Sequence, residues 1–565
     1  MNLTGEQERV LELFSEVERL KVNAFAGSGK TTTLVELAKR NKDKRFLFLV
    51  FNRAVKEELS RKLPLNAVVY TVHGLAYKYL RGKIKGKIVS RRDFTDAVIN
   101  LLNLPERDYF YGKFLTDFLE AYCNSEYGKL SEEVIEKILL LNYEIRKRAL
   151  AIFGEKFKEN REELIGRLLE DLKYIIYAVN KGSLPFTHDL YLKIFHLIWE
   201  KWREDFEVFD AVVVDEGQDL NGVQKDLFVS LPIAKRVIVG DRNQSIYGWR
   251  GALNTLAQLK DGWEEVYLTK SFRFENEKIP GVANGFLRYW KGESKAIVPQ
   301  PNSKKIKKNA ILTRTIAKLV EVAYLLDQTF STPVSLKDLE RELRKGEAIL
   351  GYINTRDEYL LRGLPYYVSK VVRRVVEEKN GKVEEVIKAL KQMGEIDIAF
   401  AVDFAYDYDI DEVFETLYEK YRKNAPLVIS TAHRVKGLEF DEVKIESDFP
   451  SPTEVIANHL LEMEGMSGAI STEDVKGIFE AIKKDDESVK DILDQINLGY
   501  VAITRARKQI GGGGFAKLRN AFIRKPDPKR IIGTIENFQN IFTLLVKEEK
   551  PKKGENDFDI FDALF

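Results

Sequence analysis

The sequence predicts an α/β protein of two parallel-sheet units, each carrying an inserted, mainly helical subdomain. Three observations predict it. Short apolar runs followed by helical patterns recur along the chain, as strands buried on both faces of a parallel sheet do. These runs fall into two series, and functional residue types cluster at their C-terminal ends. Long, charged, amphipathic stretches with helical periodicity interrupt each series. A chain of 565 residues also exceeds what one hydrophobic core sustains, so several domains are expected.

In order, the first series is an apolar run leading into "AFAGSGKT" (24–31), then "FLFLVF" (46–51), "AVVY" (67–70), "AVVVDE" (211–216), "RVIVGD" (236–241) and "EVYL" (265–268). It predicts a first unit over 1–80 and 196–275, interrupted by a helical insertion at 81–195, of which "EELIGRLLEDLKYIIYAV" (162–179) is typical. The second series is "NAILTRT" (309–315), "PLVIST" (426–431), "EVKI" (442–445) and "YVAIT" (500–504). It predicts a second unit over 276–369 and 426–546, with a shorter insertion at 370–425. The run "GGGG" (511–514) reads as a flexible loop after a strand. Residues 547–565 form a charged linker followed by alternating acidic and apolar residues. That tail reads either as a segment that docks a protein partner or as a last piece packed on its own domain.

Hydrophobic residues at 44% and charged residues at 32% describe a globular chain. The net charge of +2 makes no whole-molecule attraction for polyanions, so any nucleic-acid site must be a local groove. The lone Cys123 removes an internal disulfide framework and cysteine-rich zinc sites, and fits a reducing, intracellular compartment. No basic segment followed by an apolar run opens the chain, and no stretch approaches about 18 consecutive apolar residues. Neither secretion nor a membrane is expected.

The chemistry begins at residues 24–31. Glycines Gly27 and Gly29, with Ser28 between them, let backbone N–H groups close on phosphate oxygens. Lys30 supplies a point charge for the β- and γ-phosphates, Thr31 can ligate Mg²⁺, and Thr32 follows in the first helical turn. "AVVVDEGQD" (211–219) ends a strand in adjacent carboxylates: Asp215 for the Mg²⁺ shell with Thr31, and Glu216 to orient or deprotonate the attacking water. An ATPase using ATP and Mg²⁺ is the reading of these residues.

Further stretches then match one family in order and character: "VFNRA" (50–54), "TVHGLAY" (71–77), "GDRNQSIYGWRGA" (240–252), "SFRF" (271–274), "TAHRVKGLEF" (431–440) and "YVAITRAR" (500–507). Together they resemble the motifs of superfamily 1 helicases of the UvrD/Rep/PcrA type, and in form the F-box DNA helicase branch, without a recognisable F-box. The resemblance implies two RecA-like motor domains with ATP between them. It implies that Gln7 reads adenine, that Phe272 stacks on the base and that Glu439 accepts from the ribose. Gln244 would couple the nucleotide to the second domain, and Arg273 and Arg505 would reach the γ-phosphate. An always-charged, planar guanidinium suits the charge that spreads over the transferring phosphoryl group.

Tyr247, Trp249 and Arg250 cluster in "SIYGWRGA", where aromatic faces stack on any base and an arginine meets phosphate. The alternative is that Trp249 is core and Arg250 pairs with a carboxylate. Asn52, Arg53, His73 and His433 match further DNA-facing positions by resemblance. Relatives commonly have Phe two residues before that Asn; this chain has Val50 there and Phe51 next. The resemblance implies 3′-to-5′ movement on single-stranded DNA and unwinding of tailed duplexes in repair, recombination or replication. Two other readings stand beside it: a translocase that displaces bound proteins, and an ATP-switched DNA clamp.

Overall fold

The computed structural model describes residues 3–104, 109–153, 160–300, 306–378, 381–392, 395–467 and 470–536. The tail at 547–565 lies outside them. The first sheet has six parallel strands: β1 (Arg19–Ala24), β2 (Phe46–Val50), β3 (Ala67–Thr71), β4 (Ala211–Val214), β5 (Lys235–Gly240) and β6 (Glu264–Leu268). Every residue of β2 and β4 is buried, which is why their sequences run apolar without alternation. A two-stranded pair, β7 (Lys270–Ser271) with β8 (Val298–Pro299), follows. The second sheet contains β9 (Asn309–Thr313), β10 (Leu427–Thr431), β11 (Phe440–Ile445) and β12 (Ala506–Gly511), again all parallel. Two parallel α/β units of RecA-like character result.

Strand order decides where the site lies. In the first sheet it is β3-β2-β4-β5-β1-β6, so the chain winds one way and then the other from β1. Ligand sites in such sheets form beyond the carboxyl ends of the strands at that switch. Here β4, β5, β1 and β6 bring residues 215–216, 241–244, 25–31 and 269–273 to one edge. The β3-β2 end of the same edge presents 51–53 and 71–73.

Between β3 and β4 the described residues are largely helical, from Val72–Leu80 to His188–Ile198. Phe114, Phe118, Leu168, Leu172 and Phe195 share one core with Leu47, Leu49, Val212 and Val214 of the sheet. Between β9 and β10 the helices run from Ile316–Leu325 to Ile410–Lys420. The stretch expected as an insertion over 370–425 is continuous with an earlier helix, Leu336–Thr355, which crosses Ile396–Asp407 closely enough that a Cβ on Gly346 would stand 2.0 Å from the Ala401 carbonyl oxygen. The two helical regions touch. Ile99 and Tyr109 join a cluster with Val368, Val372 and Val402, and Arg92 reaches Glu342 at 3.2 Å. Among the described residues no helix is long and apolar enough to cross a membrane.

Two local expectations are corrected. "YVAIT" is not a strand: 500–504 closes helix Lys490–Thr504, and the strand is β12, beginning two residues later. Every residue of its second part, Ile496–Thr504, is buried, with Tyr500 stacked on Phe286 at 5.1 Å between ring centres, so that apolar run carries no helical alternation to read. The four glycines are not a loose loop either. Gly511 ends β12, Gly512 takes φ +99°, and helix Gly513–Phe522 follows at once. Cβ atoms on Gly512 and Gly514 would stand 2.2 and 2.0 Å from the carbonyl oxygens of Ile445 and Glu446. The glycines admit the end of β11 against the start of that helix.

Candidate functional site

β1 leads into a turn in which Gly27 and Gly29 take φ +76° and +82°, a conformation that turns successive N–H groups inward. Gly29 starts helix Lys30–Arg40, with Thr31 and Thr32 half-buried in its first turn. Neighbours leave no room for side chains here: a Cβ on Gly27 would stand 2.6 Å from Arg273 Cβ. Ser28 Oγ is buried and without a partner. An orphaned hydroxyl in a glycine turn at the start of a helix fits phosphate oxygens.

The segment after β6 pins this turn. Phe272 N–H donates to Gly27 O at 2.9 Å, and Ser271 Oγ donates to Ala26 O at 2.6 Å. Phe272 thereby rests against Gly29, and so does Gln7, whose Nε2 would stand 2.8 Å from a Cβ placed there. Gln7 is held twice over. It forms a capping box with Thr4 at the start of helix Gly5–Glu16, and its Nε2 donates to Thr33 Oγ1 at 3.0 Å. The two residues expected to meet the base thus share one wall.

Beyond β4, Glu216 takes φ +55°, a left-handed conformation costly for a side-chain-bearing residue. The turn aims its carboxylate at Lys30 Nζ, 2.8 Å away, while Gln218 Nε2 donates to its other oxygen at 2.6 Å. Asp215 is buried beside it and accepts the Glu216 N–H at 2.9 Å. Burial and the Glu216 charge push the Asp215 carboxyl well above its ordinary range. Burial also opposes ionisation of Glu216, but Lys30 and Lys436 outweigh it and hold that carboxyl low. Lys30 is likewise kept charged against burial by Glu216 and Asp215. Glu216, the residue expected to orient water, is thus held toward its ionised form, and an ammonium and a second carboxyl stand beside it.

The second unit closes on this edge. Gln244 Nε2 donates to Asp241 Oδ2 at 2.8 Å, and its Oε1 accepts from Arg505 Nη2 at 2.8 Å. Arg505 is buried, held also by Leu438 O and Val501 O, and burial with the nearby Arg273 brings its guanidinium down to about 9. Arg273 donates to Thr504 O at 2.5 Å and pairs with Glu439 at 3.3 Å. Glu439, the expected ribose acceptor, is thus engaged with an arginine. Lys436 and Tyr500 carry contacts that sequence reasoning missed. The Lys436 ammonium bonds both oxygens of Asp219, at 2.7 and 2.6 Å, and Gln244 O at 2.5 Å; Tyr500 OH donates to Asp241 at 3.2 Å. Lys436 and Asp219 both stand inside motifs read from sequence, but only the sheet-to-sheet arrangement pairs them.

On the side expected to face a nucleic-acid strand, the two units meet at Tyr247. Phe51 stacks on it at 5.3 Å and 16°, so this aromatic contact is made from the position after Val50. Tyr247 OH donates to His433 O at 3.1 Å; Lys436 Nζ and the exposed Arg250 guanidinium stand 5.0 and 5.8 Å from its ring centre. Burial, then the charges of Arg314, Lys436 and Arg250, push His433 down to about 4. Asn52 is exposed and caps helix Arg53–Lys62 through Val55 N–H; Arg53 is exposed and paired with Glu57 at 2.9 Å. His73 is turned to the helical insertion, 3.5 Å from Asp189 and edge-on to Tyr191. The Trp249 side chain lies outside the described residues.

Residues 3–261 match the UvrD/REP helicase N-terminal domain. The chain is similar to F-box DNA helicase protein 1 of Schizosaccharomyces pombe, 26% identical over 90% of this chain and 57% of that protein. It is also similar to F-box DNA helicase 1 of Gallus gallus, 27% identical over 90% of this chain and 48% of that protein. A probable DNA helicase II homolog of Mycoplasma genitalium is 28% identical over 47% of this chain and 40% of its own. The chain spans about half the length of the curated relatives it matches.

Proposed function

We propose, from the match of residues 3–261 to the UvrD/REP helicase N-terminal domain, that the chain is a DNA-stimulated ATPase that translocates 3′ to 5′ along single-stranded DNA and unwinds tailed duplexes. One observation carries the reading: the glycine turn, Lys30, Glu216, Gln244 and Arg273 of one unit converge with Arg505 of the other where the two sheets meet. Gln7 and Phe272 hold the base, Gly27, Ser28, Gly29 and Lys30 hold the phosphates, and Glu216 orients the attacking water. Thr31 and Asp215 are the residues that would hold Mg²⁺, which neutralises phosphate oxygens. Arg273 and Arg505 meet charge developing on the γ-phosphoryl group, as electrostatic stabilisation requires. Since Arg505 comes from the second unit, hydrolysis demands closure, and product release permits opening.

Strand binding is tied to that motion through Tyr247, which touches Phe51 on one unit and His433 and Lys436 on the other. Relative motion of the units changes the contacts of Tyr247 with His433 and Lys436, and stacking on bases makes binding tolerant of sequence. Asn52, Arg53 and Arg250 present polar groups on the same side for phosphate contact. The names of the relatives support DNA as the track, and an intracellular role in repair, recombination or replication follows that reading.

The test is strand separation on duplexes bearing a 3′ or a 5′ single-stranded tail. ATP-dependent opening of the 3′-tailed duplex alone, abolished by Lys30→Ala, is expected. Opening of the 5′-tailed duplex alone would overturn the polarity. If single strands stimulated ATP turnover and neither duplex opened, displacement of bound proteins would replace unwinding.

A further inference from the structure

One buried charge cluster takes no part in the contacts above. Glu293 and Asp485, from the second unit, face Arg242 of the first. Glu293 Oε1 accepts from Arg242 Nε at 2.7 Å and from Asn243 Nδ2 at 3.2 Å. Asp485 pairs with Lys291 and stands 3.8 Å from Arg242 Nε. The Glu293 side chain is 3% exposed, and those of Lys291 and Asp485 are 0% exposed. Burying such charges is costly, and apolar residues of similar volume hold two surfaces together at least as well. The cluster therefore calls for a use beyond adhesion.

Its position supplies one. Arg242 and Asn243 directly precede Gln244. Asp241 is bonded by Tyr500, and Gln244 by Arg505 and Lys436, so the second unit grips all four residues of 241–244. The grips differ in kind. Arg505 must release Gln244 in some measure to serve a γ-phosphate, whereas Glu293 has no nucleotide to attend to. Its own place is set by backbone: Gly292 takes φ +63°, and Glu293 N–H donates to Leu287 O at 2.9 Å at the end of helix Lys278–Tyr289.

We propose that Glu293 is a positioning residue that keeps the 241–244 loop attached to the second unit through Arg242 and Asn243, so that closure of the units sets Gln244 at the reacting phosphate. The proposal rests on the ATPase reading. It separates two kinds of binding. Gln7, Phe272 and Lys30 hold the ground state without Glu293, while geometry needed only in the transition state depends on it.

The experiment compares full-length wild type with Glu293→Ala, Glu293→Gln and Arg242→Met. Affinity is measured for ADP alone and for ADP with aluminium fluoride, a mimic of the transferring phosphoryl group. Expected are a roughly tenfold loss of the aluminium fluoride complex in Glu293→Ala, ADP affinity within about twofold of wild type, and kcat lowered with KM steady. Arg242→Met should weaken the aluminium fluoride complex in the same direction, and the Glu293→Ala/Arg242→Met double variant should lose less than the sum of the two, because the pair shares the Arg242–Glu293 contact while Asn243 and Asp485 are each tied to only one of them. Glu293→Gln keeps shape and an acceptor for Asn243, should fall between, and guards against a variant that fails to fold. Equal weakening of both ligands, or of neither, would overturn the proposal. Failure of wild type itself to bind ADP would instead overturn the ATPase reading on which it stands.

Discussion

His433 shows how a single residue takes its properties from both units. Its ordinary value of 6.5 falls to about 4 because burial and three surrounding cations disfavour the imidazolium. The unfolded chain therefore binds this proton more readily between those values. Stability is fully present above about pH 6.5 and is lost as pH falls toward 4, where the folded form also takes up the proton. His433→Gln should flatten that part of the curve, as thermal melts across pH 4–7 would show; an unchanged slope would place the loss on other groups. At this scale the sequence was most legible where chemistry is local. Gly27, Gly29 and Lys30 declare a glycine turn leading into a helix by spacing alone, and they form one. Phe51 was not legible, because its stack on Tyr247 depends on how β2 and residues 245–251 are brought together.

Among elements, the start of helix Gly513–Phe522 is the sharpest case. A glycine run reads as slack when only local chain entropy is considered. Packing reverses that reading, since Gly512 and Gly514 touch the end of β11 where no side chain fits. Gly512→Ala should destabilise the protein by about 1–3 kcal/mol, from a Cβ at φ +99° against a carbonyl oxygen. Gly511→Ala, with open space around its Cβ, should stay within about 0.5 kcal/mol. Denaturant melts of the pair check this, and similar losses in both would mean that backbone entropy governs. Helix Lys490–Thr504 makes the complementary point. Periodicity reports which faces are exposed, and the stretch Ile496–Thr504, buried at every residue, has no exposed face to report.

At the level of the whole molecule, the cleft is a set of bonds between units. Arg505 to Gln244, Lys436 to Asp219 and Tyr500 to Asp241 each join one sheet to the other. Arg505→Ala should lower ATP turnover by about 10³-fold or more while leaving the KM for ATP within a few-fold, the pattern of a group needed only when charge develops. Steady-state kinetics with and without single-stranded DNA measure it. A rise in KM with kcat preserved would assign Arg505 to ground-state binding instead.

The amino-acid order alone determined the two parallel-sheet units, the phosphate turn, the adjacent carboxylates and the arginines, because each is signalled by residues close together in the chain. Tertiary structure alone decided which of these meet. The order β3-β2-β4-β5-β1-β6 gathers four loops from distant positions to one edge, and the second sheet brings Lys436, Tyr500 and Glu293 onto it. Lys436 and Tyr500 stand in motifs read from sequence and Glu293 in none, but no local signal names the partner of any of them. Their roles arise from hydrogen bonds between segments nearly 50 to 260 residues apart, and only the packing of one sheet unit against the other sets those distances.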